Sequence, residues 1–518
     1  MPFFFSCVYA ILKRSFCCRP NILSKEPFQM VFADLLFVFA FLPLNLLLYA
    51  LAPGIKAKNA VMLVFSLVFY AWGEPKYVAL LIGMTFADWF ISRRIENCLG
   101  TVKAKFWLAA ACAVSLGLLG LFKYGTFTAE NLQALTGYPK TLPVISLPIG
   151  ISFYTFQVLS YVIDVYRGKV KAPRSYAHLL TYISLFHQCV AGPIVRYSDI
   201  SEEILCRRAD TAEISAGVTR FTVGLAKKAL LANACGSLAD TILLAEKAAA
   251  DPAGLAANME ALAQKPAMLL WLGVLLFMLQ IYLDFSAYSD MAIGMGLIIG
   301  FHYKENFDYP YTADSVSRFW RKWHISLGTF FRDYVYFPLG GNRRGMARTI
   351  LNLFVVWLLT GFWHGASWNF VLWGLYFFIF IAAEKLFLGK LLDKLPAAAG
   401  RLYMLAVVYF GWILFRFRRL PLAWLVFKGL FCLNGNAFFS FEAKTVWLNN
   451  ILFLLAAAAA STPLVKALSA ALKRRGENSP ALRNLSGFTQ AAAVLLLFVL
   501  STLALVGNSY NPFLYYQF

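Results

Sequence analysis

The sequence predicts an all-α, polytopic membrane protein, and three observations carry that prediction. Hydrophobic residues fill 60% of the 518 positions and charged residues only 14%, with a mean hydropathy of +0.64. No water-soluble core hides that much apolar surface. Apolar runs of roughly 20 residues, the length that crosses a bilayer as a helix, recur along the chain. These runs are built from Leu, Phe, Val and Ala, without the in–out alternation of a β-barrel.

Taken in order, residues 1–29 stand apart. Met1 to Leu12 is apolar, but its charges follow rather than precede it, the wrong order for a signal peptide. Either this stretch is a basic cytoplasmic extension or translation starts at Met30; the second is preferred. Candidate spans follow near 31–52, 59–74, 76–92, 106–122, 142–163, 176–195, 267–300 (read as a span open to a break), 349–363, 367–388, 401–415, 446–465 and 488–508. We expect on the order of 11–13 membrane-crossing or re-entrant segments. The polar stretches 247–265 and 473–483, with their Gly, Pro and Asn residues, read as loops. The chain after about Arg419 is apolar and alanine-rich and reads as scaffold. The expected organisation is an extension over 1–29, a catalytic membrane core over 30–420 and C-terminal membrane helices over 421–518.

Lys and Arg number 47 against 26 Asp and Glu, a net charge of +21. The basic residues lie mostly in short segments between spans, as at Arg93-Arg94, Lys103 to Lys105, Arg207-Arg208 and Lys473-Arg474-Arg475. That distribution follows the positive-inside rule and needs no nucleic acid. The densest block, Arg318 to Arg348, is expected on the cytoplasmic side. Nine cysteines form no C-x-x-C pair and no metal-ligand spacing, so neither a disulfide framework nor a metal site is expected.

From Gly150 to Trp373, polar, aromatic and glycine residues interrupt the apolar runs. Irregular backbone at membrane depth survives where protein buries it or where it lines a watery cavity. His364, in Thr360-Gly361-Phe362-Trp363-His364-Gly365-Ala366, is one of only five histidines and sits between two strongly apolar stretches. An ionisable group there is a candidate functional site. On a helix Trp357, Gly361, His364 and Trp368 form one stripe, with Gly361 leaving room beside the imidazole for a narrow substrate. A neutral imidazole can accept a hydroxyl proton. The chain has no G-x-S-x-G elbow, so the acceptor's own hydroxyl is the expected nucleophile. Arg318 to Tyr334, read as one helix, puts Trp320, Trp323, Leu327 and Phe330 on one face and Arg318, Arg321, Lys322 and Ser326 toward another. Such a helix suits the membrane interface, and its guanidinium groups also match phosphate oxygens. Asp284 and Asp290, six residues apart, fall on different faces of a helix and are expected to pair with arginines or backbone donors. Asn306, Tyr309 and Tyr311 form a polar loop.

The chain resembles the membrane-bound O-acyltransferase family, in its bacterial branch concerned with alginate O-acetylation. The stretches that carry the resemblance are Leu147–Phe156, Tyr161–Gly168, Ala191–Arg196, Tyr282–Gly294, Glu305–Tyr311, Arg318–Arg343 and Gly361–Ala366. One departure is His187, where relatives generally carry proline; it reads as an altered kink. The resemblance implies a helical bundle with a central passage and re-entrant or interfacial helices. It implies that His364 is the catalytic histidine and His324 a second functional one, with His324 or a nearby backbone donor stabilising the oxyanion. Arg318, Arg321, Lys322, Arg332, Trp363, Asp290 and Asn306 are the candidate donor-binding or passage residues. It further implies acetyl-CoA as co-substrate with no tightly bound cofactor, and an extracytoplasmic serine (SGNH-type) acetyltransferase as partner. The location implied is the bacterial cytoplasmic (inner) membrane, with membrane lipid around the chain. The activity expected is O-acetylation of an extracytoplasmic polysaccharide such as alginate, another exopolysaccharide or peptidoglycan. The alternatives are transfer of D-alanyl or another acyl group to a cell-wall polymer, or a non-catalytic transporter.

Overall fold

The computed structural model describes residues 30–137, 146–189, 192–244, 252–477 and 480–507, and every regular element among them is helical. The proposed extension 1–29 lies outside the described residues. Among the described residues, eight helices are long and apolar enough to cross a membrane: Gly54–Gly73, Val102–Thr136, Ala267–Ile299, Met346–His364, Trp368–Leu392, Ala397–Arg416, Phe441–Ala460 and Gly487–Gly507. Two shorter apolar helices are Phe37–Leu51 and Leu420–Leu430. This is a multi-pass membrane protein, with fewer full-length spans among the described residues than the 11–13 segments expected.

The difference has local causes. The expected span 142–163 is, among the described residues, the helix Ile151–Tyr166, too short to cross alone and buried along nearly its whole length. The expected span 176–195 breaks at Leu185 into Tyr176–Ser184 and Phe186–Cys189. Conversely, 267–300 is not broken: Ala267–Ile299 is one helix of 33 residues. No proline interrupts it, and its glycines serve close packing instead. Gly273 lies against Ile242 and Leu243, and Gly294 against the Gly217 backbone, where a β-carbon would collide. Two expected loops are also largely helical. Pro252–Gln264 and Leu464–Glu477 are helices that start just after Asp251 and Pro463, where a single proline or glycine punctuates the end of an element rather than its interior.

The described chain falls into two compact units. The first comprises the described residues among 30–225, 288–305 and 501–507. Within it, Arg207 donates to the Tyr49 hydroxyl (3.0 Å) and to Asn59 (2.7 Å), and the Tyr49 hydroxyl donates to the Ile299 carbonyl. His187 is buried there, its Nδ1 3.2 Å from the Tyr303 hydroxyl, so the departure from proline adds a buried polar contact beside the break at Leu185.

The second unit comprises the described residues of Ala226–Ala287 and Asn306–Leu500. Its core is aromatic: Trp323, Trp373 and Trp412 are almost fully buried, and Trp373 stacks on Trp412 at 6.2 Å. Met346–His364 and Trp368–Ala383 form a tight antiparallel pair around Gly361 and Gly374. A buried ion pair, Lys228 to Asp284 at 2.8 Å, crosses the same unit. In a low-dielectric interior such a pair is tolerated only because each charge neutralises the other.

Candidate active site

Two helix ends in the second unit bring the histidines to one cavity. The segment expected as a single helix from Arg318 to Tyr334 is in fact two, Val316–Lys322 and Ile325–Phe331, continued by a π-turn Arg332–Tyr336. The break falls at His324, whose φ of 44° lies in the left-handed region. A non-glycine residue there costs roughly 1–2 kcal/mol, so surrounding contacts must hold it. Asn306 supplies them. Its backbone oxygen accepts from the Ile325 N–H at 2.9 Å, and its side-chain oxygen accepts from the Ser326 N–H (3.2 Å) and the Ser326 hydroxyl (2.8 Å). That same oxygen lies 3.1 Å from His324 Nδ1. Phe285 meets the His324 ring edge-on at 4.7 Å.

His364 is placed differently. It is the last residue of the helix Met346–His364, followed by extended Gly365. Its ring is enclosed by aromatic edges: Trp363 at 5.0 Å, Trp373 at 4.9 Å and Phe415 at 5.3 Å. Because the helix ends here, Trp368 starts the next helix and is half exposed, so it does not continue the stripe of Trp357, Gly361 and His364. Nor does Gly361 leave room for substrate. A β-carbon there would collide with the Phe370 carbonyl oxygen and sit 3.3 Å from the Gly374 α-carbon. Gly361 is the contact point of two helices, a common use of small residues in membranes.

Both histidines are nearly inaccessible, at 2% for His324 and 3% for His364, yet both line one cavity of about 1110 Å³. That is room for a large ligand. Its lining includes the buried Trp323, His324, Trp357, Thr360 and His364, the half-buried Trp320 and Asp314, and the exposed Arg318, Arg321, Arg332, Lys385 and Asp393. Trp363 does not line the cavity but packs between the two imidazoles, 5.6 Å from His324 and 5.0 Å from His364. Burial lowers the His324 pKa to about 3, so this ring is neutral at physiological pH.

Of the cationic residues, Arg318 is held by Asp314 at 2.6 Å and Arg332 by Asp333 at 2.8 Å. Arg321 is exposed and makes no ion pair among the described residues. Lys322 does not line the cavity; it pairs with Asp308 at 3.1 Å. Asn306 does not line it either and acts on His324 from behind. Asp290 belongs to the first unit, where Arg220 bridges it (3.0 Å) to Glu305. The expected pairing with an arginine therefore holds for Asp290, whereas Asp284 pairs with a lysine. Neither acid is among the residues that line the cavity.

Glu384 was not singled out from the sequence. It lines the cavity, and its two carboxylate oxygens accept from the Val316 and Ser317 N–H groups at 2.7 and 2.8 Å. It thereby caps the helix that carries Arg318, Trp320 and Arg321. A lone acid directly after the apolar run Trp368–Ala383 was the available signal.

No cluster of His, Cys, Asp or Glu among the described residues could hold a metal ion. The cavity offers two buried imidazoles, that of His324 neutral, an aromatic wall and arginines among its lining residues. This is the equipment for proton transfer at a hydroxyl next to an anionic ligand.

Comparison with known proteins agrees. The sequence profile of the membrane-bound O-acyltransferase family matches residues 106–423. A "probable alginate O-acetylase" of Azotobacter vinelandii is 35% identical over 94% of this chain and all of its own length. A peptidoglycan O-acetyltransferase of Helicobacter pylori is 32% identical over 79% of this chain and 81% of its own. A teichoic acid D-alanyltransferase of Bacillus subtilis is 25% identical over 52% of this chain and 67% of its own. With the profile covering well over half of its length, the chain belongs to the membrane-bound O-acyltransferase family and is a membrane acyltransferase.

Proposed function

We propose that this acyltransferase moves acetyl groups from a cytoplasmic thioester, acetyl-CoA, across the membrane for O-acetylation of an extracytoplasmic polysaccharide. The observation that carries the proposal is the single cavity that joins exposed arginines to the two buried histidines. The donor's phosphates lie against Arg321 and its neighbours at the open end, and the thioester reaches the aromatic end. The acceptor oxygen attacks the carbonyl carbon while His364 takes its proton. The negative end of the helix Met346–His364 favours the cation that forms. The tetrahedral intermediate then breaks its C–S bond. The thiolate leaves and takes up the proton from His364, so that ester and thiol are the products. The polysaccharide setting is favoured by the names of the alginate and peptidoglycan relatives. In this reading the chain works in the bacterial cytoplasmic membrane, handing acetyl groups to an extracytoplasmic serine (SGNH-type) acetyltransferase.

Purified protein in vesicles tests the donor. With acetyl-CoA, Arg321→Glu raises the donor KM about tenfold or more, the equivalent of losing one charge-assisted phosphate contact. With acetyl-pantetheine, which lacks the phosphates, the same variant matches the parent. Equal KM values for both proteins with acetyl-CoA overturn the placement of the donor's phosphates at Arg321, and no transfer from acetyl-CoA by the parent protein overturns the donor assignment. Transfer of D-alanyl but not acetyl groups overturns the acyl assignment.

A further inference from the structure

The oxygen that faces His324 identifies which ring nitrogen carries the proton. Asn306 is fully buried, and its side-chain oxygen meets the backbone N–H of Ser326. A backbone N–H can only donate, so the amide must present its oxygen and not its nitrogen at that point. His324 Nδ1 lies 3.1 Å from the same oxygen. A carbonyl oxygen can only accept, so Nδ1 must donate; with a bare lone pair on Nδ1, the two atoms would repel. The Ser326 hydroxyl gives the same answer. It spends its proton on Asn306 at 2.8 Å, and so at 3.3 Å from Nδ1 it can only accept.

We propose that Asn306 is a positioning residue that fixes His324 as its Nδ1–H tautomer and leaves Nε2 as a hydrogen-bond acceptor for the reaction. A neutral ring held this way has no proton at Nε2 to offer an oxyanion. The role expected from sequence, stabilisation of the oxyanion by His324, therefore passes to another donor. His324 instead receives the O–H of the acceptor alcohol and aims its oxygen while His364 takes the proton. Only this last step rests on the acyl-transfer reading; the tautomer does not.

The geometry around Asn306 explains why the device sits here. Sequence places Asn306 eighteen positions before His324, yet its backbone and side chain pin Ile325 and Ser326, and the Asp308 N–H donates to the Lys322 carbonyl at 3.0 Å. The extended segment thus clamps both sides of the left-handed break, and the imidazole has one orientation and one proton position. This is the outer-sphere control familiar from histidines in metal and triad sites, worth 10- to 100-fold or more when removed.

The test labels histidine with ¹⁵N at Nδ1 only and assigns the His324 signal by its loss in His324→Gln. The expected signal is that of a protonated nitrogen in the parent protein. It stays so in Asn306→Asp, whose carboxylate also accepts, and shifts toward the unprotonated form in Asn306→Leu. In activity, Asn306→Leu lowers kcat roughly 10- to 100-fold with little change in donor KM, and Asn306→Asp recovers most of it. An unprotonated Nδ1 in the parent protein overturns the tautomer. An Asn306→Leu protein with full kcat overturns the positioning role. The spectroscopic arm needs no turnover, so a wrong substrate does not disguise either result.

Discussion

The two histidines of the cavity are held by opposite means. His324 sits in a strained break and is fixed by hydrogen bonds from a polar loop. His364 ends a regular helix and is fixed by the edges of Trp363, Trp373 and Phe415. A hydrogen-bonded ring has one tautomer and one direction. The aromatic rings around His364 stand 4.9–5.3 Å away, centroid to centroid, and set the plane of its imidazole by packing. The contrast is the basis on which we propose different roles for the two rings, orientation of the acceptor alcohol at His324 and proton transfer at His364.

The largest effect expected from breaking this contrast is in His364→Ala. Positioned proton transfer contributes about 10²–10⁴-fold. Acyl transfer should fall by that factor while the donor KM and the amount of protein in the membrane stay close to the parent's. A variant with near-normal transfer would show that the aromatic cage encloses a packing residue, and the assignment of the base would move to His324.

His364 stood out in the sequence because an ionisable ring in apolar surroundings is costly and therefore conspicuous, whereas His324, in a cationic segment, was legible only through the family resemblance. The eight long apolar helices were visible for the same reason of composition. Other features were hidden because they depend on partners distant in sequence. The Asn306–His324 bond joins positions eighteen apart. The break at His324 carries no proline or glycine to mark it and is held by hydrogen bonds with Asn306 and Asp308. Glycines read as gaps in a helix look alike whether the space beside them is empty or filled by a second helix. Gly361 was read as empty space and is filled by Phe370 and Gly374.

That misreading suggests the next test, of intermediate size. In Gly361→Ala the added methyl meets backbone on the neighbouring helix, which cannot swing aside as a side-chain tip can. Overpacking of this kind costs about 1–3 kcal/mol. The solubilised protein should therefore melt several degrees lower, and His364 should lose activity through displacement of its helix. If the space instead served substrate, stability would be unchanged and only the KM for the acceptor would rise. Thermal melting and KM together separate the two uses of the glycine.

The smallest effect lies in the first unit, where His302 is bracketed by two carboxylates. Its Nδ1 is 2.8 Å from Glu203 and its Nε2 2.9 Å from Glu213. The hydrogen bonds to Glu213 and Glu203 raise the pKa of the half-exposed imidazole above its ordinary 6.5. The Glu213 carboxyl is lowered below 4.5, first by a backbone hydrogen bond at Asp210 and then by His302. A raised histidine pKa adds stability that is complete below 6.5 and disappears as pH climbs through the raised value. A lowered carboxyl pKa adds stability that is complete above 4.5 and disappears as pH falls through the lowered value. The two contributions overlap between those ordinary values. The melting temperature of the parent protein should therefore exceed that of His302→Gln by the most near pH 5–6, and the gap should narrow toward alkaline pH as the ring loses its charge. Both groups are solvent-accessible, so salt should shrink the gap as well. Unlike the buried pairing of Asn306 with His324, this bracket is open to titration, and acyl transfer measured on the two proteins at pH 5.5 and 8 should keep a constant ratio. A ratio that changed with pH would mean that the charged bracket reaches the chemistry after all.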